Sequence, residues 1–150
     1  MSCCFFIGHR EADERLVSVL TEVIERHIQT GVTRFVVGRY GGFDRWATRV
    51  LQSLKSTYPH IRIVLLLPYH PATYSPSIAD GFDEILYPPH MESVPRKAAI
   101  VRANRYMVDH TDYVIAYAWH PASNARELLE YAAKKKQPPV ITNLATVLFF

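Results

Sequence analysis

The residues able to do chemistry gather in four short stretches. Gly8-His9-Arg10 follows an apolar run; a glycine lets backbone approach a ligand closely, and an imidazole beside a guanidinium offers donors suited to phosphate or carboxylate. The same tripeptide also suits a plain turn with two solvated side chains. Gly38-Arg39-Tyr40-Gly41-Gly42-Phe43-Asp44 leads into an amphipathic segment, so its glycines would bare backbone N–H groups at the positive end of a helix dipole. Phosphate is the ligand such a cradle favours. The spacing is neither G-x-G-x-x-G nor a Walker loop, so neither NAD binding nor ATP hydrolysis follows from it, and Asp44 reads first as an N-cap.

Arg102, Arg105 and Asp109 fall on one helical stripe, with Asn104 on a neighbouring face. Either a solvated, salt-bridged face or an arginine presented to a phosphate-bearing ligand accounts for that stripe. The last stretch is Trp119-His120-Pro121-Ala122-Ser123-Asn124-Ala125-Arg126-Glu127. Asn124 with Glu127 has the form of a capping box, and Trp119 is either a base-stacking platform or a partly buried aromatic. His27, His60 and His110 stand alone in sequence; no metal-ligand spacing and no nucleophile–base set emerges, so neither a metal nor a cofactor is expected.

The elements that must position these residues alternate in period. Apolar runs at residues 2–7, 34–37, 61–67, 84–87, 113–118 and 140–143 read as strands, the third buried on both faces. Helical spacing marks residues 12–29, 44–58, 95–110 and 124–136, while 69–81 reads as a long loop with a turn of helix near 77–80. Strands alternating with helices imply right-handed βαβ units, hence an α/β, Rossmann-like domain with a mostly parallel sheet and helices on both faces. Ligands of such sheets sit beyond the carboxyl ends of the strands, where all four stretches begin or lead.

Composition bounds the rest. The 150 residues, 49% apolar and 21% charged, suit one domain with one continuous core, and Pro and Gly nowhere gather into a linker. No apolar run reaches the roughly 20 residues of a membrane helix, and no signal peptide is visible, so a cytoplasmic protein is expected. Cys3 and Cys4 are adjacent and would point to opposite faces of a strand, which rules out a disulfide framework. A net charge of +3 makes a dedicated nucleic-acid binder unlikely, although twelve of the seventeen cations are arginine, the better fork for phosphate.

Phe5-Phe6-Ile7-Gly8-His9-Arg10, Gly41-Gly42-Phe43-Asp44 and Asn104-Arg105-Tyr106-Met107-Val108-Asp109 together resemble the SLOG superfamily, specifically its YspA/YpsA-like branch. The resemblance spans nearly the whole chain, and the six-residue helix motif is its most specific part. It implies a fold related to DprA and the LOG phosphoribohydrolases, a pocket for nucleotides or nucleotide-derived molecules, and a homo-oligomer. In LOG relatives a helix Arg and a Glu opening a later helix assist N-glycosidic cleavage of nucleoside monophosphates; Arg105 and Glu127 are similar in placement. Where those relatives carry Pro-Gly-Gly-x-Gly-Thr-x-x-Glu, this chain has Pro121 to Glu127 without glycine, and Ser123 and Asn124 stand where phosphate would meet bare backbone. That departure weakens the case for glycosidase chemistry more than the case for binding.

Three functions follow as expectations. The first is nucleotide binding or sensing, with phosphate at Gly38 to Asp44, His9, Arg10 and Arg105 as donors, and base or ribose toward Tyr69, Tyr74 or Trp119. The second is N-glycosidic hydrolysis through Arg105 and Glu127. The third is a protein-interaction module with a degraded pocket, suggested by the apolar end Val147-Leu148-Phe149-Phe150.

Overall fold

The computed structural model describes residues 2–149. The side chains of the apolar end, Val147 to Phe150, lie outside the described residues. Six strands form one all-parallel sheet: β1 (Ser2–Gly8), β2 (Val32–Val37), β3 (Arg62–Leu66), β4 (Glu84–Leu86), β5 (Tyr113–Tyr117) and β6 (Val140–Asn143), in the order β4-β3-β2-β1-β5-β6. Helices α1 (Leu16–Gln29), α2 (Gly42–Leu54), α3 (Ala99–Asp109), α4 (Asn124–Ala133) and the short α5 (Leu144–Phe149) connect or follow them. The Rossmann-like α/β expectation therefore holds, and the sheet is wholly parallel.

Strand alternation divides the core between the two faces. Cys4 and Phe6 of β1 pack with Leu20, Ile24, Phe43 and Leu51 of α1 and α2. Cys3, Phe5 and Ile7 pack with Ala103 and Met107 of α3 and Leu129 of α4. Consecutive side chains point oppositely, so the adjacent cysteines sit in separate halves of the core, each a free buried thiol. Burial pushes both thiols above their ordinary pKa.

Helix boundaries differ from the sequence reading where local hydrogen bonding decides them. Residues 13–15 turn before α1 because the Asp13 carboxylate accepts the Arg15 backbone N–H at 2.9 Å. Asp44 is not an N-cap; α2 already begins at Gly42, with Gly41 at φ 144° preceding it. Ser123, not Asn124, caps α4, its hydroxyl accepting the Arg126 N–H at 3.1 Å. The loop after β3 holds two short 3-10 turns, at Pro71–Thr73 and Pro76–Ala79, and two more, at Met91–Ser93 and Arg96–Ala98, precede α3.

The chain runs outward from β1 through β2, β3 and β4, then crosses to the opposite side of β1 for β5 and β6. Strand order thus reverses between β1 and β5. At such a reversal the connecting loops diverge to opposite faces and leave a crevice beyond the strand ends.

Candidate functional site

A cleft of about 630 Å3 occupies that crevice. The end of β1 contributes Gly8, His9 and Arg10; α3 contributes Ile100, Val101, Asn104 and Arg105; the β5–α4 loop and α4 contribute Trp119, Ser123, Asn124, Glu127, Leu128 and Tyr131. Gly38, Tyr40 and Asp44 reach it from the β2 side. Most of the ligand and catalytic candidates singled out from sequence line this one space, Glu127 among them. Gly41, Gly42 and Phe43 do not.

The glycine-rich turn serves the cleft from behind. Its N–H groups are engaged: Gly42 donates to the Arg10 carbonyl at 2.7 Å and Phe43 to the His9 carbonyl at 3.3 Å. A Cβ on Gly42 would lie 2.5 Å from the Arg10 carbonyl oxygen. Phe43 is fully buried, stacked on Tyr117 with ring centroids 6.1 Å apart, and a Cβ on Gly8 would fall 2.6 Å from the Phe43 Cβ. These glycines let two loops interlock, and that interlock fixes where His9 and Arg10 emerge.

His9 ties the opposite rims together. Its Nε2 accepts the Trp119 N–H at 2.9 Å and the His120 N–H at 3.2 Å, so the proton of the neutral ring resides on Nδ1. Burial, then the nearby His120, lowers the His9 pKa below its ordinary 6.5, which keeps the acceptor unprotonated at neutral pH. The ring meets the Trp119 ring edge-on, with centroids 5.2 Å apart. The sequence assigned His9 as a charged donor; in the structure it is a neutral acceptor that positions the β5–α4 loop.

On α3 the expected stripe is split. Asp109 accepts from Tyr131 Oη at 3.0 Å and Lys135 Nζ at 2.6 Å, joining α3 to α4 and holding its carboxyl below the usual range. Arg105 therefore has no carboxylate within 4.0 Å among the described residues, and its guanidinium lies over the Tyr131 ring at 5.0 Å. Asn104 and Arg105 follow Ile100 and Val101 at i+4, giving a wall with an apolar base and a polar tip.

Asp44 is the most perturbed carboxyl here. The residue as a whole is half-buried, but its carboxyl is tucked against Gly38: a Cβ there would lie 2.8 Å from Asp44 Oδ2. Burial pushes its pKa up to about 7, partly offset by the Tyr40 backbone N–H.

Sequence reasoning did not single out Ile100, Leu128 or Tyr131, which form the cleft's apolar wall. Their signal was the i, i+4 spacing Ile100/Asn104 and Asn124/Leu128. Of the aromatics considered as base platforms, Trp119, half exposed, lines the cleft; Tyr69 does not, and Tyr74 lines a neighbouring cleft. Groups of three or more His, Cys, Asp or Glu arranged for a metal are absent among the described residues, as is any helix long and apolar enough to cross a membrane.

Comparison with known proteins agrees with this architecture. The chain is 18% identical to DNA processing protein A from Helicobacter pylori, a structure described for its single-stranded DNA binding mode. That likeness has a TM-score of 0.63, covers 99% of this chain and 71% of the other, and concerns the fold. A UPF0398 protein of Lactiplantibacillus plantarum is 32% identical over 50 residues, 33% of this chain. The match covers 26% of that relative's length. The model of the YspA SLOG family matches residues 2–75, which hold both the Gly8-His9-Arg10 turn and the Gly41-Gly42-Phe43-Asp44 turn interlocked with it, so the chain is similar to that family over this stretch.

Proposed function

We propose that the protein binds a nucleotide or nucleotide-derived small molecule in the cleft between β1 and β5. The observation that carries this reading is the convergence there of an uncompensated arginine, a helix N-terminus and an exposed indole. Within the first turn of α4, Ser123 takes the N–H groups of Arg126 and Glu127. The N–H groups of Asn124 and Ala125 remain for a ligand. A phosphate at that N-terminus would meet those amides and the Arg105 guanidinium. This position replaces the α2 turn, whose N–H groups the first loop consumes. Trp119 offers its face to a base, and the apolar residues of α3 and α4 exclude water around it.

A thermal-shift screen with nucleoside mono-, di- and triphosphates, NAD, ADP-ribose and cyclic nucleotides tests the reading. A ligand that binds only the folded chain must raise the melting temperature. Arg105→Ala is expected to weaken the responding ligand by about tenfold or more, the worth of a charge-assisted contact. No response from any of these compounds would overturn the reading.

Glu127 shares the cleft with Arg105, which keeps a second reading open: N-glycosidic cleavage, with Glu127 stabilising an oxocarbenium-like centre or activating water. On this reading free base is released from a nucleoside monophosphate, and Glu127→Ala lowers the rate by at least about a hundredfold. Equal rates in the two proteins would remove that role.

A further inference from the structure

Behind the interlocked loops lies a second cleft, between α2 and the loop following β3. Three arginines line it: Arg39 before α2, and Arg45 and Arg49 one helical turn apart on α2. We infer that this cleft is a separate anion site, built for a small molecule carrying tandem phosphates, such as a pyrophosphate or triphosphate group.

Charge supports this first. No Asp or Glu lines the cleft, and among the described residues none of the three guanidiniums has a carboxylate within 4.0 Å. Arg15, Arg34, Arg62 and Arg126 have acidic partners, whereas Arg39, Arg45 and Arg49, like Arg105 in the main cleft, have none among the described residues. Three uncompensated cations lining one concavity call for a ligand of several negative charges, which a lone carboxylate does not supply.

Preorganisation supports it next. Arg39 lies over the Tyr40 and Tyr74 rings at 5.8 and 5.5 Å, and Arg49 over the Trp46 ring at 5.1 Å. The hydroxyls of Tyr40 and Tyr74 share a hydrogen bond of 2.9 Å, which fastens the loop after β3 to the loop before α2. Cation–π contact holds each fork while leaving its N–H groups free, so less side-chain entropy is lost on binding. Ser75 and Ser77 line the same wall with their hydroxyls 3.0 Å apart, adding donors for further phosphate oxygens. A modest net charge of +3 and a cleft enclosed between one helix and one loop favour a compact polyanion over an extended strand.

The site is distinct from the cleft between β1 and β5, which it meets at Gly38. Inorganic pyrophosphate and tripolyphosphate are therefore suitable probes, titrated calorimetrically at low and moderate salt. The Arg45→Gln/Arg49→Gln double variant is expected to lose about tenfold or more in affinity for both, whereas Arg105→Ala changes it less than about twofold. Both positions are exposed, and an unchanged melting temperature of the double variant separates lost binding from lost fold. Pyrophosphate binding that disappears in Arg105→Ala but survives in the double variant would overturn the inference, as would no binding at low salt. An oligothymidylate that binds through Arg45 and Arg49 while pyrophosphate does not would also overturn it, reassigning the surface to a nucleic-acid backbone. Because the arginines tested differ, failure here is distinguishable from failure of the nucleotide reading.

Discussion

Gly8→Ala is expected to destabilise the protein by about 3 kcal/mol, lowering the melting temperature by roughly 10 °C, although it adds a single methyl group. The new Cβ would fall 2.6 Å from the Phe43 Cβ and closer still to its ring, and Phe43 is fully buried between Phe6 and Tyr117. Neither neighbour is the loose end of a flexible chain, so either β1 or the N-terminus of α2 must shift. A shift there would break the hydrogen bonds from Gly42 and Phe43 to the first loop and displace Arg10 from the cleft. Phe43→Ala removes the two nearest atoms, Cδ2 and Cγ, and makes room at the same contact. The double variant should be more stable than the summed single effects predict, by at least about 1 kcal/mol; strict additivity would show that the interlock does not set the first loop.

Asp44 should make ligand binding depend on pH. Its carboxyl lines the main cleft and titrates near 7, so at pH 6 it is mostly neutral and at pH 8 mostly charged. An anionic ligand in that cleft favours the neutral form. Affinity for ADP-ribose, whose diphosphate does not titrate in this range, is expected to fall by up to about tenfold between pH 6 and pH 8. Asp44→Asn, uncharged throughout, should abolish the dependence. Stability of the free protein moves the same way. Below 3.8 the carboxyl is protonated in both states; between 3.8 and about 7 the unfolded chain ionises first, so stability falls as pH rises. Asp44→Asn should therefore be more stable at pH 8, by up to about 4 kcal/mol, and indistinguishable near pH 3. Urea unfolding of both proteins across this range measures the difference. An identical pH profile for the two would show that the Asp44 carboxyl is freely solvated.

The strands were the most legible part of the sequence. The unbroken apolar run through Ile63, Val64, Leu65 and Leu66 has the pattern of a strand buried on both faces, and Cys3-Cys4-Phe5-Phe6-Ile7 likewise fills both halves of the core. Helix starts were less legible because they depend on single hydrogen bonds, such as Asp13 to Arg15 or Ser123 to Arg126, that propensity does not encode. At the site, residue types at the strand ends sufficed to find the loops, since topology brings those ends together. What each residue does there was harder to read. His9 accepts from backbone more than a hundred residues away in sequence, and Gly41 and Gly42 owe their identity to the Arg10 backbone, a contact between two separate loops. A glycine-rich turn before a helix suits a phosphate or another loop equally well, and only the packed chain distinguishes them. The Arg39, Arg45 and Arg49 cleft was hidden for the same reason: its second wall comes from the loop after β3.

A nucleotide in the crevice where strand order reverses must perturb the backbone amides that line it. Amide NMR spectra recorded during titration with the best-stabilising nucleotide test it directly. The largest shifts are expected on Gly8, Arg10, Asn104, Trp119, Asn124 and Ala125, and in Arg105→Ala they should need about tenfold or more nucleotide to appear while the rest of the spectrum keeps its native dispersion. Shifts confined to residues outside β1, α3 and the start of α4, or an unchanged titration midpoint in Arg105→Ala, would place the nucleotide elsewhere.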